Sequence, residues 1–158
     1  MSAPVVIGVI ADTHGLLRPE VHEALAGVYL ILHAGDVCGD EILDELSIIA
    51  PVAAVAGNCD PVDNPRLPSR IERTIEGVRI HVSHGHELGV PRPDKLLAAY
   101  DADVIIYGHT HVPLVNRVGG RLVLNPGAAG PRRFDLKPSV ARLTAVEGRA
   151  EAVIVELA

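Results

Sequence analysis

VVIGVIADTH, residues 5–14, decides how the rest of the chain is read. From Val5 to Ala11 the residues are apolar or glycine without a break, and the run then stops on Asp12, Thr13 and His14. A strand with one wet face alternates apolar and polar residues; an unbroken apolar run fits a strand whose two faces are both covered. Four more segments share the design: YLILHA before Gly35-Asp36, VAAVA before Gly57-Asn58, RIHVS before His84-Gly85-His86, and VIIY before Gly108-His109-Thr110-His111. Helical patterns lie between them. Pro19 opens one with Val21, Ala24, Leu25 and Val28 on a face; Asp40 to Ile49 carries Ile42, Leu43, Leu46 and Ile49; Pro93 to Tyr100 makes a third. Strands alternating with helices predict a largely parallel sheet with helices packed on it.

The second half adds hairpins. RIERTIEGVRIHVSHG turns at Glu76-Gly77, VPLVNRVGGRLVLNPG at Gly119-Gly120, and SVARLTAVEGRAEAVIVEL at Glu147-Gly148. These strands are expected to build a second sheet, with Pro61 to Pro68 as the long irregular loop. At 158 residues the chain has the length of one domain, taken as residues 1–158. It is 48% hydrophobic, with three Tyr, one Phe and no Trp, so aliphatic side chains must fill the interior.

The formal charge of −6 argues against general affinity for nucleic acid or anionic lipid, and the scarcity of aromatics leaves no platform for stacking bases. The opening MSAPVVIGVIADTH reads as a first strand, not as a basic cleavable leader, and no apolar run approaches the ~20 residues that cross a bilayer. Cys38 and Cys59 are too few for a disulfide framework and fit a reducing cytoplasm. Apolar surface on the edge hairpins is compatible with a monomer or a homodimer.

Ligands of open parallel sheets collect outside the carboxyl ends of the strands. In this chain those ends carry Asp12, His14, Asp36, Asn58, His84, His109 and His111, oxygen and imidazole donors of the kind that hold transition metals. Asp12 and His14 are two apart, as are His109 and His111, and in extended backbone such residues point to the same side. Each pair is therefore expected to converge through extended geometry.

The ordered set Asp12-x-His14, Gly35-Asp36, Gly57-Asn58, His84-Gly85 and Gly108-His109-Thr110-His111, extended by Asn125-Pro126-Gly127, resembles the calcineurin-like metallophosphoesterase superfamily. The short length, the His84-Gly85-His86 form and the cysteine after Asn58 are most similar to its small bacterial and archaeal phosphodiesterase branch. The resemblance implies a four-layer α/β sandwich, αββα, holding two divalent metal ions. It implies Asp12, His14, Asp36 and His111 around one ion and Asp36, Asn58, His84 and His109 around the other, with Asp36 bridging. Asp36, Asn58 and His84 would form the catalytic centre, and a metal-bridging hydroxide would attack a small phosphate ester. The mixed ligand set favours Mn²⁺, with Fe, Ni²⁺, Co²⁺ or Zn²⁺ as alternatives, over Mg²⁺. Phosphomonoester hydrolysis by the same mechanism is a second reading, and a protein-binding scaffold like the eukaryotic vacuolar sorting relative is a third.

Cys59 occupies the position where many relatives carry a histidine that protonates the leaving group. A thiol of pKa ~8.5 replaces an imidazole of ~6.5 there, which predicts a preference for esters whose leaving oxygen needs little help; the alternative is a small packing residue. His33, His86 and Arg132 are further candidates for supporting the ligands or touching substrate. Asp60 either orients a ligand or begins the Pro61 loop.

Overall fold

The computed structural model describes residues 3–133 and 135–157. Ten strands form two five-stranded sheets. The first contains β1 (Val5–Ile10), β2 (Leu30–His33), β3 (Val52–Ala54), β9 (Ser139–Val146) and β10 (Arg149–Glu156), in the spatial order β10-β9-β1-β2-β3. The second contains β4 (Arg70–Ile75), β5 (Val78–Ser83), β6 (Val104–Ile106), β7 (Leu114–Val118) and β8 (Arg121–Asn125), in the order β4-β5-β6-β8-β7. Pairing is parallel at the centre of each sheet, β1 with β2 and β2 with β3, and β5 with β6 and β6 with β8. The remaining pairs are antiparallel.

The unbroken apolar runs divide by parity, as pleated backbone requires. Ile7, Val9, Leu30 and Leu32 meet Ile80, Val82, Val104, Ile106, Leu122 and Leu124 in one buried cluster between the sheets. On the outer face of the first sheet, Ile10 and Ile31 pack against Val21 of α1 (Glu20–Ala24), Leu25 just beyond it, and Ile42, Leu43 and Leu46 of α2 (Asp40–Ile49). On the outer face of the second, Ile105, Tyr107 and Val123 cover Leu96 of α3 (Pro93–Ala99). The result is the αββα sandwich.

Two expectations change in detail. The third hairpin, β9 and β10, belongs to the first sheet: β9 lies antiparallel to β1, pairing Val5 with Ala145 and Val9 with Ala141. A hairpin signal encodes the pairing of its own strands but not which sheet edge receives them. The helix opened by Pro19 also closes early, at Ala24. There Arg142 of β9 donates from Nη1 to the carbonyls of Ala24 (3.0 Å) and Ala26 (3.2 Å), satisfying groups that a longer helix would have paired internally. Among the described residues no helix is long and apolar enough to cross a membrane.

Candidate metal centre

The loops that leave the carboxyl ends of β1, β2, β3, β5 and β6 meet at one end of the sandwich. Backbone bonds tie them together: Asp12 N–H donates to the Gly35 carbonyl (2.9 Å), His14 N–H to Asp36 (3.0 Å), and Gly108 N–H to His84 (3.0 Å). Asp12, His14, Asp36, His109 and His111 all have positive φ, of 54°, 46°, 57°, 71° and 66°. The convergence expected from extended backbone is thus achieved by left-handed backbone. Such a conformation costs on the order of 1–3 kcal/mol per non-glycine residue and persists only where its surroundings over-determine it.

Glycine and Asp60 supply much of that determination. A Cβ on Gly57 would lie 2.1 Å from Asp36 Oδ1 and 2.3 Å from Asp36 N, so only glycine lets the β3 loop close on Asp36. Asp60 is buried, and its carboxylate accepts from three backbone groups: Gly57 N–H (2.8 Å) and Val37 N–H (3.1 Å) at Oδ2, and Cys38 N–H (2.9 Å) at Oδ1. It clamps the loop after β2 to the loop after β3, a role the sequence left undecided. Asn125 acts similarly across the second sheet, donating to Gly108 O (3.1 Å) and Thr110 Oγ1 (3.0 Å) while accepting from Gly127 N–H (2.9 Å).

Within this frame His14 Nε2 lies 3.5 Å from Asp36 Oδ2 and 3.8 Å from Asp12 Oδ1. His84 Nε2 lies 3.4 Å from Asp36 Oδ2 and 3.8 Å from Asp12 Oδ1, and His111 Nε2 lies 3.6 Å from Asp12 Oδ1. Three groups each bring ligand atoms within 4.8 Å of one another: Asp12, His14 and His111; Asp12, Asp36 and His84; and His14, Asp36 and Cys59. His109 stands beside His84 with ring centroids 5.2 Å apart, and its N–H donates to Asp12 Oδ2 (3.1 Å). Asn58 and Cys59 are exposed, with Asn58 Nδ2 3.8 Å from Cys59 Sγ, and Cys59 N–H donates to Asp36 Oδ1 (2.9 Å).

The donor set fits a cation. His84 Nδ1 lies 2.8 Å from the Ala34 carbonyl and must donate to it, which leaves the lone pair on Nε2 facing two carboxylates. That Nε2 and Asp12 Oδ1 are both buried without a hydrogen-bond partner. Opposed lone pairs of this kind are costly unless a positive charge stands between them.

Electrostatics carry the same signature. Burial, reinforced by the neighbouring Asp36 charge, pushes Asp12 up to about 7 despite the opposing pull of His84. Burial also pushes Asp36 upward, but the close approach of His84 Nε2 (3.4 Å), the hydrogen bond from Cys59 N–H and the charges of His84 and His14 outweigh it and hold Asp36 well below the usual carboxylate range. Burial lowers His84, yet the Asp36 contact and the Asp12 charge raise it on balance. Burial, with Arg133 adding to it, depresses His111 to about 4.

The remaining candidates separate. His33 is fully buried, its Nε2 3.0 Å from Thr13 Oγ1 and its Nδ1 accepting from Gly35 N–H (3.1 Å); burial drives it down to about 3, so it is a neutral strut beneath the donor loops. His86 is exposed at the rim, its ring 5.3 Å from His84 and 6.3 Å from His109. Arg132 lines a hollow with Arg18 and Lys137, whereas it is the charge of Arg133 that acts on Asp12 and His111. Burial, with the Asp36 charge, raises the Cys59 thiol, the wrong direction for a nucleophile.

Four likenesses to known proteins bear on the chain. The profile of the calcineurin-like phosphoesterase superfamily domain matches residues 5–148. A probable metallophosphoesterase of Methanothermobacter thermautotrophicus is 41% identical over 151 residues, covering 87% of this chain and 80% of the relative. Phosphodiesterase YfcE of Escherichia coli is 36% identical over 95 residues, 56% of this chain and 50% of that protein. Among solved structures, Vps29 of Entamoeba histolytica complexed with Zn²⁺ superposes with a TM-score of 0.75 at 29% identity, covering 96% of this chain and 99% of that one.

Proposed function

This chain belongs to the calcineurin-like phosphoesterase superfamily, and from that premise we propose that it is a dinuclear metal-dependent phosphodiesterase acting on small phosphate esters. The observation that carries the reading is the buried pair Asp12 Oδ1 and His84 Nε2, 3.8 Å apart and both without a hydrogen-bond partner. Asp12, His14, Asp36, Asn58, His84, His109 and His111 would hold the ions, with Mn²⁺ the favoured metal and Fe, Ni²⁺, Co²⁺ and Zn²⁺ also suited to these donors. Divalent cations bound there supply Lewis acidity toward the phosphoryl oxygens and an acidified water.

The chain's own residues do the rest. Asp36, held ionised by the hydrogen bond from Cys59 N–H and by His84 and His14, is the anchor that two sets of donors share. Ala34 fixes the tautomer of His84. Cys59 offers no strong acid to the departing oxygen, in keeping with esters whose leaving group needs no proton. The two cysteines are free, in keeping with a cytoplasmic protein. The likeness to Vps29 favours one other reading, a scaffold that binds protein partners on the same fold.

The test is metal content together with hydrolysis of bis(4-nitrophenyl) phosphate and 4-nitrophenyl phosphate in Mn²⁺. About two metals per chain and faster diester than monoester hydrolysis are expected, with both metal and activity lost in Asp36→Asn. Faster monoester hydrolysis would move the assignment to a phosphomonoesterase, and a metal-loaded protein inert to both esters would move it to the scaffold.

A further inference from the structure

Beside the donor cluster lies a groove of about 470 Å³, within the ~300–1,000 Å³ typical of small-molecule sites. Two of its lining residues border the cluster. Gly57, on one wall, is the residue whose backbone packs against Asp36, and His86, on the other, stands 5.3 Å from His84. The groove differs in character from the cluster: buried Leu67 and the exposed side chain of Val62, from the loop spanning 61–68, make it apolar on the Gly57 side.

The opposite wall is polar and held in place. Tyr100 Oη donates to Glu87 Oε2 (2.6 Å), and Glu87 Oε1 accepts from Gly85 N–H (2.9 Å), the residue next to His84. Tyr100 is itself fixed by stacking on buried His81, with ring centroids 3.7 Å apart and planes inclined by 20°. A carboxylate has roughly four acceptor positions, so Glu87 retains capacity for a donor from a bound molecule. Its charge repels an anion at the end of the groove nearest the cluster. The one guanidinium lining the groove, that of Arg70, has Glu72 3.8 Å away as a partner.

We infer that this groove receives the non-reacting ester group of the diester, and that it selects an uncharged group bearing an apolar face and hydroxyl or amine donors, such as a nucleoside, against one bearing a further phosphate. The inference rests on the phosphodiesterase reading above. Val62 and Leu67 cover the apolar face, Glu87 accepts from the donors, and the same carboxylate turns away a second phosphate.

The test uses the metal-loaded protein and three diesters with a common 4-nitrophenolate leaving group: the methyl ester, the thymidine 5′ ester, and the 3′-phosphorylated thymidine 5′ ester. With the leaving group constant, differences report on the other arm. An increase in kcat/KM of about tenfold from methyl to thymidine, and a comparable fall on 3′-phosphorylation, are expected for contacts of this size. Val62→Asp, at an exposed position that leaves the core untouched, is expected to lower the thymidine-to-methyl ratio at least about threefold, and Glu87→Gln to shrink the penalty on the 3′-phosphate. Equal rates on all three esters, or a ratio unmoved by Val62→Asp, would overturn the groove assignment alone. No hydrolysis of any of them would overturn the phosphodiesterase reading and the groove with it.

Discussion

At the hairpin end of the sandwich, Glu76-Gly77, Gly119-Gly120 and Glu147-Gly148 have φ values of 51° and 77°, 56° and 84°, and 48° and 79°. At the donor end, Asp12, His14, Asp36, His109 and His111 occupy the same left-handed region. In the hairpins two successive positive φ angles make type I′ turns, whose twist matches that of the strands they join. Local geometry demands the conformation, and glycine meets it at four of the six positions. At the donor end His14 shares a turn with Gly15, closed by Leu16 N–H on the Thr13 carbonyl (2.9 Å), and His109 centres a three-residue turn closed by Thr110 N–H on Gly108 (2.8 Å), but the residues are bulky and chemically specific, and loops from two sheets hold them in place. Strain that follows from connectivity can be relieved by a better turn residue. Strain that follows from converging donors cannot be relieved without dispersing them.

Three substitutions break or sharpen that contrast. Asp12→Asn has the largest expected effect, with metal-dependent hydrolysis falling at least about a thousandfold as charge at the phosphoryl oxygens is no longer balanced. The same change is expected to stabilise the metal-free protein. Folded Asp12 titrates at about 7 and unfolded Asp near 3.8, so the folded chain binds more protons between those values and its stability falls as pH rises through them. Thermal melts in chelator are therefore expected to coincide for wild type and Asp12→Asn near pH 4, then separate in favour of the variant up to about pH 7. Melts that stay coincident at pH 8 would show that the carboxylate is not strained by burial.

Gly57→Ala comes next. The new methyl would meet Asp36 Oδ1 at 2.1 Å, and displacement of a reacting group by about an ångström costs on the order of 100-fold in rate. Steady-state kinetics beside a circular dichroism spectrum checks this, with a retained fold and a lost rate as the expected pair. The smallest effect belongs to the hairpin end. Glu76→Asn places in the turn a residue that tolerates left-handed backbone and precedes Gly77 in the preferred Asn-Gly form. A gain of up to about 1 kcal/mol in urea unfolding, with unchanged activity, is expected. A loss of activity there would mean that the two ends are coupled.

Much of this was legible in the chain. Asp40 to Ile49 is a helix to the residue, and all three glycine turns fall where the pattern put them, because hairpins and amphipathic helices are written in short-range order. The candidate donors could be picked out for the same reason, each standing at or just beyond the point where an apolar run stops. The position of β9 and β10 beside β1 was not legible, since a hairpin is self-contained and its docking edge is chosen by packing. Nor was the role of Asp60. Its three N–H partners include Val37 and Cys38, 23 and 22 residues away, and no local spacing signals such a contact.

By itself, the sequence determined the strands, their ends and the chemical kinds of the donors, since these depend on residue type and on neighbours a few positions away. The tertiary structure decided that Asp12, His14, Asp36, His84 and His111 come within a few ångströms of one another, and that left-handed backbone carries all of these but His84. It also left Asp12 Oδ1 and His84 Nε2 facing each other without partners, and placed a groove alongside. Those outcomes depend on loops from two different sheets being pressed together by one shared apolar core, a long-range constraint that no segment carries alone.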